Sequence, residues 1–95
     1  MSYEVIFDPG AAREFGKLTQ AQRRRIGNLI DGLAENPRPS GAERLTDVDA
    51  YKIRTGDYRI IYAVKDESLI VLIVKVGNRR NVYKDISTIR KRLKK

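Results

Sequence analysis

The segment of this chain with the clearest chemical potential is Tyr51–Tyr62, where alternating apolar and cationic residues flank a Gly56-Asp57 pair. A Gly-Asp pair between two alternating runs predicts a tight β-hairpin. In that register Arg54 lies opposite Arg59, and Lys52 shares their face because side chains alternate along a strand. Opposed like charges destabilise a strand pair, so folding alone does not favour this arrangement. An anion between the two guanidinium groups would remove the repulsion, and phosphate suits them well.

The overall charge of the chain also indicates an anionic partner. It carries 20 Lys and Arg residues against 12 Asp and Glu residues, which gives a formal net charge of +8 over 95 residues. This balance is typical of proteins that bind nucleic acids and also suits some that bind membrane surfaces. No apolar run approaches the roughly 20 residues needed to cross a bilayer, and Met1–Phe7 lacks the pattern of a signal peptide. We therefore expect a cytoplasmic protein without a membrane partner.

The chain contains no histidine and no cysteine, which narrows its possible chemistry. Their absence excludes a serine triad, a histidine-rich metal centre, a disulfide framework and a thiolate metal site. Acid–base catalysis would have to use Lys, Tyr, Arg or carboxylates. The pairs Asp47/Asp49 and Asp66/Glu67 are typical of solvated loops and turns rather than of a catalytic dyad. We expect neither a metal ion nor a cofactor.

The N-terminal third predicts a strand and two helices that would support the hairpin. Residues 3–7 predict the strand, and Asp8 followed by Pro9 caps the first helix. Thr19 with Gln22 forms the capping box that opens the second helix. The later strands are expected at about 50–55, 58–64 and 69–76, before a C-terminal helix. The predicted fold class is α+β, a small single domain over residues 1–95 in the order β-α-α-β-β-β-α, with a mostly antiparallel sheet packed against the N-terminal helical hairpin.

Side-chain alternation divides the predicted sheet into an apolar face and a cationic face. If the second hairpin turns at Asp66-Glu67, Val74 lies opposite Arg59, and the chain leaves the last strand beside the first hairpin loop. The face expected to pack against the helices carries Tyr51, Ile53, Ile60, Tyr62, Val64, Val71 and Ile73. The opposite face is expected to gather a patch from three separated segments, made of Lys52, Arg54, Arg59, Arg79 and Tyr83.

Solubility and protection of sheet edges offer a simpler explanation for single surface cations. That explanation suits Arg80 and Lys84 as well as an RNA-binding role does. It fits the convergent patch poorly.

Over its whole length the chain resembles a RelE-family toxin of the RelE/ParE toxin–antitoxin superfamily. The resemblance is carried by the element order and by Tyr51–Arg54, Gly56–Tyr62 and Val76–Arg79 followed by Tyr83. It implies the toxin of a type II toxin–antitoxin system, a metal-independent endoribonuclease (mRNA interferase) that cuts translated mRNA in the ribosomal A site. The implied partners are a cognate antitoxin protein, in a toxin–antitoxin hetero-oligomer, and the ribosome with its mRNA and ribosomal RNA.

The resemblance also implies roles for individual residues. The ribose 2′-hydroxyl would attack the adjacent phosphate and leave a 2′,3′-cyclic phosphate and a 5′-hydroxyl. By matching position, Arg59 would brace the scissile phosphate, Arg79 would act near the leaving oxygen, and Tyr83 would stack on a base. These roles suit planar guanidinium donors and an aromatic ring.

The chain departs from the family pattern at Arg54. The best-known RelE enzymes carry a Lys-x-Lys pair on this strand, with the second lysine as the favoured general base. An arginine stays protonated in proteins, so it stabilises charge but is a poor base. Lys52 is then the remaining candidate base, since a lysine among other cations loses its proton more readily.

Two further basic segments have more than one reading. The simpler interpretation of Arg23, Arg24 and Arg25 is the solvated side of an amphipathic helix. If the protein is a ribonuclease, they could instead dock on ribosomal RNA. The tail carries Ile86, Ile89 and Leu93 at helical spacing among cations, which predicts a mobile helix that closes near the site or is displaced by an antitoxin.

Two other function classes stay open beside the ribonuclease. A ParE-like inhibitor of DNA gyrase would share the scaffold without a catalytic site, and a non-catalytic basic module would bind nucleic acid or a partner by charge alone. The retention of Lys52, Arg79 and Tyr83 favours the ribonuclease.

Overall fold

The fold follows the predicted order with one addition. A computed structural model describes residues 2–78 and 86–94. Within these ranges, no helix is long and apolar enough to cross a membrane. The addition is a two-residue strand that precedes the first hairpin. The elements are β1 (Glu4–Phe7), α1 (Pro9–Gly16), α2 (Gln20–Glu35), β2 (Glu43–Arg44), β3 (Tyr51–Thr55), β4 (Tyr58–Lys65), β5 (Ile70–Asn78) and α3 (Ile86–Leu93).

The strands form one five-stranded mixed sheet in the order β1-β5-β4-β3-β2. Only β1 and β5 pair in parallel, while β2 to β5 pair antiparallel with their neighbours. A parallel pair needs a long crossover, and here α1 and α2 lie in the connection that follows β1. The α+β fold class predicted from the sequence is confirmed.

Local sequence signals set the helix starts. The Asp8 carboxylate accepts a hydrogen bond of 2.8 Å from the Gly10 amide, with Pro9 at the first helical position. Thr19 and Gln22 form the reciprocal capping box, with hydrogen bonds of 3.2 and 3.0 Å. Both predicted caps are therefore confirmed.

The two faces of the sheet bury separate apolar clusters. The predicted helix-facing set is confirmed, because its members pack with side chains from α1 and α2. That cluster contains the buried residues Ala11, Ile26, Ile30, Leu33, Ile53, Ile60, Tyr62, Val71, Ile73 and Val76. The other face carries a smaller buried cluster, in which Ile89 of α3 covers Ala50, Ile61 and Val74.

The predicted register of β4 and β5 was wrong. Arg59 pairs with Gly77 rather than with Val74. The turn spans four residues from Asp66 to Leu69, and Leu69 adopts a positive φ of 54°. A β-bulge opposite the Ile61/Tyr62 step adds one more residue to β5. Because of the longer turn and the bulge, a later residue of β5 lies opposite Arg59 than the sequence predicted.

Beyond the end of β1, side chains form hydrogen bonds with backbone groups on the edge of β5. The last residue of β1, Phe7, pairs with Ile73. Beyond it, Glu14 Oε1 accepts a hydrogen bond of 3.1 Å from the Val76 amide, and Arg92 donates one of 2.9 Å to the Val74 carbonyl. Unpaired backbone groups on a strand edge invite pairing with another chain, so these two side chains satisfy groups that β1 leaves open.

Arg92 also joins α3 to α1 through an ionic cluster. Its guanidinium lies 3.3 Å from Asp8 Oδ2 and 3.1 Å from Glu14 Oε1, and Lys75 Nζ lies 3.1 Å from Glu14 Oε2. The Asp8 side chain is only 2% exposed and that of Arg92 15% exposed. Because the carboxylates are withdrawn from water, they depend on their cationic partners.

Replacing Arg92 with alanine should therefore destabilise the fold. Arg92→Ala removes a cationic partner of the buried Asp8 and is expected to lower the free energy of unfolding by about 3 kcal/mol. Denaturant unfolding followed by circular dichroism measures the change. The matched control is Lys91→Ala, an exposed cation of the same helix. Equal unfolding midpoints for the two variants would contradict this assignment.

A second polar cluster ties the start of the chain to the β4–β5 turn. Arg38 donates two hydrogen bonds to the Asp66 carboxylate, of 3.1 and 2.7 Å, and a third of 2.9 Å to the Tyr51 hydroxyl. The Tyr3 hydroxyl donates to the same carboxylate at 2.8 Å. These hydrogen bonds lower the pKa of Asp66 to about 2, and the bonding from Arg38 has the largest effect. Nearby, burial raises the pKa of Tyr62 to about 12.

The depressed pKa of Asp66 predicts a defined loss of stability in acid. The folded pKa of about 2 lies below the ordinary value of 3.8, so the contribution is complete above pH 4 and disappears as the pH falls toward 2. The difference in melting temperature between the wild type and Asp66→Asn should shrink over that interval. Asp47→Asn, at an exposed loop position, serves as the control. A difference that stays constant from pH 5 to pH 2 would contradict the prediction.

Candidate nucleic-acid interface

The hairpin that carries the predicted cations has the register expected from the sequence. Arg54 pairs with Arg59 and Thr55 pairs with Tyr58. Gly56 adopts a φ of +59° at the first turn position, a conformation that favours glycine because it lacks a Cβ atom. The turn therefore fixes which residues stand opposite each other, and the two arginines share one face.

Three of the five predicted site residues line one groove. Lys52 and Arg54 from β3 and Arg59 from β4 surround a depression of about 300 Å³, which Glu43 and Gly41 border on the β2 side. The other two, Arg79 and Tyr83, lie outside the described residues, as do Arg80 and Lys84. The described part of the patch thus brings together three cations that can bind one phosphate group.

The arginines of this groove differ in their surroundings. Arg54 is exposed, whereas Arg59 is half-buried and its Nε atom is buried. On the far side of Arg59 the facing residue of β5 is Gly77, which adds no side chain to this face. Arg59 is therefore more closely surrounded by the protein than Arg54, and the residue that faces it from β5 has no side chain.

Sequence reasoning missed Glu43 as a member of this groove. It pairs across the strands with Lys52, and its Oε2 atom lies 3.5 Å from Lys52 Nζ. The Glu43 side chain is 72% exposed and that of Lys52 27% exposed. A two-residue strand is too short to show an alternating pattern, so no periodic signal marked this position.

The pair formed by Glu43 and Lys52 also borders a second depression. This one has a volume of about 530 Å³ and lies on the α3 side of the pair. Its walls combine apolar side chains with hydrogen-bonding groups, a mixture that suits a nucleotide base and its sugar. Its remaining lining residues are Arg44, Leu45, Thr46, Asp47 and Ile86.

The arginine run of α2 divides into two kinds of side chain. Arg23 is half-buried and donates hydrogen bonds of 2.6 and 3.2 Å to the carbonyls of Leu18 and Gly16, which closes the end of α1. Arg24 and Arg25 are exposed, and Arg25 lines a small depression beside the β3–β4 turn. A structural role is thus visible for Arg23, while its two neighbours offer charge to the surface.

Comparison with known proteins places these features in a family. Residues 5–83 match the family described as ParE toxin of type II toxin-antitoxin system, parDE. The mRNA interferase toxin RelE of Escherichia coli (strain K12) is 33% identical over 81 residues, which cover 83% of this chain and 85% of that protein.

Solved structures show the same similarity in three dimensions. A mutant E. coli toxin RelE in the free state has a TM-score of 0.80 at 30% identity, covering 98% of this chain and 99% of that chain. A chain of the intact E. coli RelBE toxin–antitoxin complex has a TM-score of 0.74 at 30% identity, covering 81% of this chain and 96% of that chain. The family match and these relatives place the chain among the toxins of type II toxin–antitoxin systems. The chain belongs to the RelE family of the RelE/ParE toxin–antitoxin superfamily.

Because Arg54 and Arg59 face each other, replacing Arg54 should raise the stability of the protein and weaken its binding of anions. Arg54→Thr removes a cross-strand pair of like charges with Arg59, so the melting temperature should rise at low salt, and less at high salt where the repulsion is screened. The same variant should bind single-stranded RNA more weakly, as filter binding would measure. Lys65→Thr, an exposed cation at the far end of β4, is the control for net charge. A lower melting temperature for Arg54→Thr would show that the pair is not repulsive.

Proposed function

We propose that this chain is a ribosome-dependent endoribonuclease, the toxin of a type II toxin–antitoxin system, which cleaves translated mRNA in the ribosomal A site. The observation that carries the proposal is the groove in which Lys52, Arg54 and Arg59 meet. Two opposed arginines lower the stability of the unbound protein, but together they bind an anion favourably. A phosphate of an RNA backbone supplies that anion.

The groove suits attack of a ribose 2′-hydroxyl on the adjacent phosphate. The transition state places more negative charge on the phosphate oxygens than the substrate does, and fixed guanidinium donors stabilise that added charge. Arg59 is the better-fixed donor, since it is half-buried, and Arg54 would close over the phosphate from the exposed side. By family resemblance, Arg79 would act at the leaving oxygen and Tyr83 would stack on a base.

The shape of the groove supports a requirement for the ribosome. Among the described residues its lining is confined to β3, β4 and the segment around β2, so these residues contact only a short stretch of an RNA strand. In-line attack requires a bent backbone, and holding reactants in such geometry accounts for a large share of catalysis. A ribosome that presents mRNA in fixed geometry would supply what the groove lacks, with Arg24 and Arg25 available for contacts with ribosomal RNA.

An antitoxin is the second proposed partner. One of the similar structures is the intact RelBE toxin–antitoxin complex of E. coli. The formal charge of +8 favours an acidic or amphipathic segment as the inhibitor, in a toxin–antitoxin hetero-oligomer. Such a segment could cover the groove or displace α3 from the sheet.

A ParE-like inhibitor of DNA gyrase is the alternative, because the matched family description names ParE. Gyrase inhibition requires a docking surface but no site that stabilises a phosphate transition state. The groove between the arginines favours the ribonuclease. A gyrase supercoiling assay run beside the cleavage assay separates the two functions.

Loss of the Arg59 guanidinium should abolish cleavage. In a reconstituted translation system, primer extension should show cuts in translated mRNA for the wild type and none in the same RNA without ribosomes. Arg59→Ala is expected to lower the single-turnover rate on programmed ribosomes by about 10² to 10³. Lys65→Ala, on the same face of β4, should cleave normally. Efficient cleavage of free RNA, or a folded Arg59→Ala protein with undiminished activity, would overturn the proposal.

A further inference from the structure

We propose that Glu43 is the general base that removes the proton from the attacking 2′-hydroxyl, an inference that rests on the proposed ribonuclease function. The resemblance to RelE enzymes gives this role to a lysine, and Arg54 stands where the favoured lysine would be. The structure places a carboxylate in the same groove instead. Glu43 then performs the proton transfer, and the cations stabilise charge.

The chemistry of the groove favours Glu43 by elimination. A guanidinium stays protonated in proteins, so Arg54 and Arg59 cannot accept a proton. Lys52 Nζ lies 3.5 Å from Glu43 Oε2, so its side chain forms an ion pair with that carboxylate across β2 and β3. Among the described residues that line the groove, Glu43 is the one carboxylate. A carboxylate is ionised at neutral pH and is ready to accept a proton.

The position of Glu43 fits the site of proton removal. It borders both the groove with the arginines and the neighbouring depression lined by Leu45 and Ile86. A nucleotide with its phosphate between the arginines and its base in the second depression has its ribose between the two, beside Glu43. The side chain is 72% exposed, so its carboxylate is accessible to a ligand.

Charged side chains from several elements surround Glu43. Lys52 and Arg54 face it from β3, Arg59 from β4, and Arg44 and Asp47 border the neighbouring depression. The short cross-strand pairing of β2 with β3 holds Glu43 beside Lys52. Lys52 thereby orients the carboxylate and adds positive charge next to the phosphate.

The proposed step balances without any further reactant. Glu43 takes the 2′-hydroxyl proton as the 2′-oxygen forms a bond to phosphorus and the bond from phosphorus to the 5′-oxygen breaks. A water molecule protonates the departing 5′-oxygen, and the hydroxide so formed takes the proton from Glu43. The products are a 2′,3′-cyclic phosphate and a 5′-hydroxyl.

Two substitutions distinguish a carboxylate base from a lysine base. Glu43→Gln removes the proton acceptor and keeps the shape, so single-turnover cleavage on programmed ribosomes should fall by about 10² to 10⁴. Lys52→Arg keeps the charge without a titratable amine and should stay within about tenfold of the wild type. If Lys52 were the base, the two results would be reversed. Glu67→Gln, in the exposed β4–β5 turn, is the control and should cleave normally.

Binding and pH dependence give readouts that a structural role would not produce. Glu43→Gln removes a negative charge, so it should bind ribosomes carrying 2′-O-methyl mRNA at least as tightly as the wild type. Wild-type cleavage should be level between about pH 6 and 8.5, because carboxylates ionise near pH 4, whereas an amine base would give a rate that rises about tenfold per pH unit.

Each result decides between the proposals. Wild-type cleavage together with a Glu43→Gln rate within about threefold of it would overturn the role of Glu43 and leave the ribonuclease function standing. A rate that rises with pH and is lost in Lys52→Arg would assign the base to Lys52. A wild type that does not cut translated mRNA at all would overturn the ribonuclease function, and the role of Glu43 with it.

Discussion

The register of β3 against β4 is the constraint on which both the core and the candidate site depend. The same alternation that buries Ile53 and Ile60 against the helices turns Arg54 and Arg59 to the opposite face. A slip of one residue would exchange the two faces and place guanidinium groups in the core. The apolar residues therefore place the two arginines opposite each other, so burial of the core determines a pairing that like charges alone would not favour.

The face of the sheet opposite α1 and α2 carries both the apolar residues that contact α3 and the cationic groove. Ile61 and Val74 receive α3, whereas Lys52, directly opposite Ile61, already belongs to the groove. α3 is held from its C-terminal end, where Arg92 reaches Asp8 and Glu14. Its first residue, Ile86, lines the depression next to the groove. The ionic cluster at the far end of α3 thus helps to shape the wall of the proposed nucleotide site.

Local signals made much of this fold predictable from the sequence. The caps at Asp8 and Thr19 and the turn at Gly56 each depend on neighbouring residues, and all three were placed correctly. The β4–β5 register was not, because the turn puts Leu69 at a positive φ and the bulge follows from packing across strands. A leucine carries no sequence signal for that conformation, which residues other than glycine rarely adopt.

The candidate site was predictable only in part, for the same reason. Lys52, Arg54 and Arg59 lie on one alternating hairpin, so their convergence follows from local sequence. Glu43 reaches the groove through a two-residue edge strand whose pairing depends on the rest of the sheet. Alternation cannot show in so short a strand, and a lone glutamate in a connection is ordinarily read as a solvated residue.

Arginine at position 54 separates two tasks that a lysine can combine. A lysine in a phosphate site can stabilise charge as a cation and accept a proton as an amine, but not in both forms at once. An arginine remains a cation throughout, so its contribution to the transition state is constant. In the proposed reaction, proton transfer then requires another group, and a carboxylate fits where cations would offset its charge beside the phosphate. In this proposal Lys52 supplies that cation at 3.5 Å from Glu43, which accounts for a lysine and an acid side by side in the cationic groove.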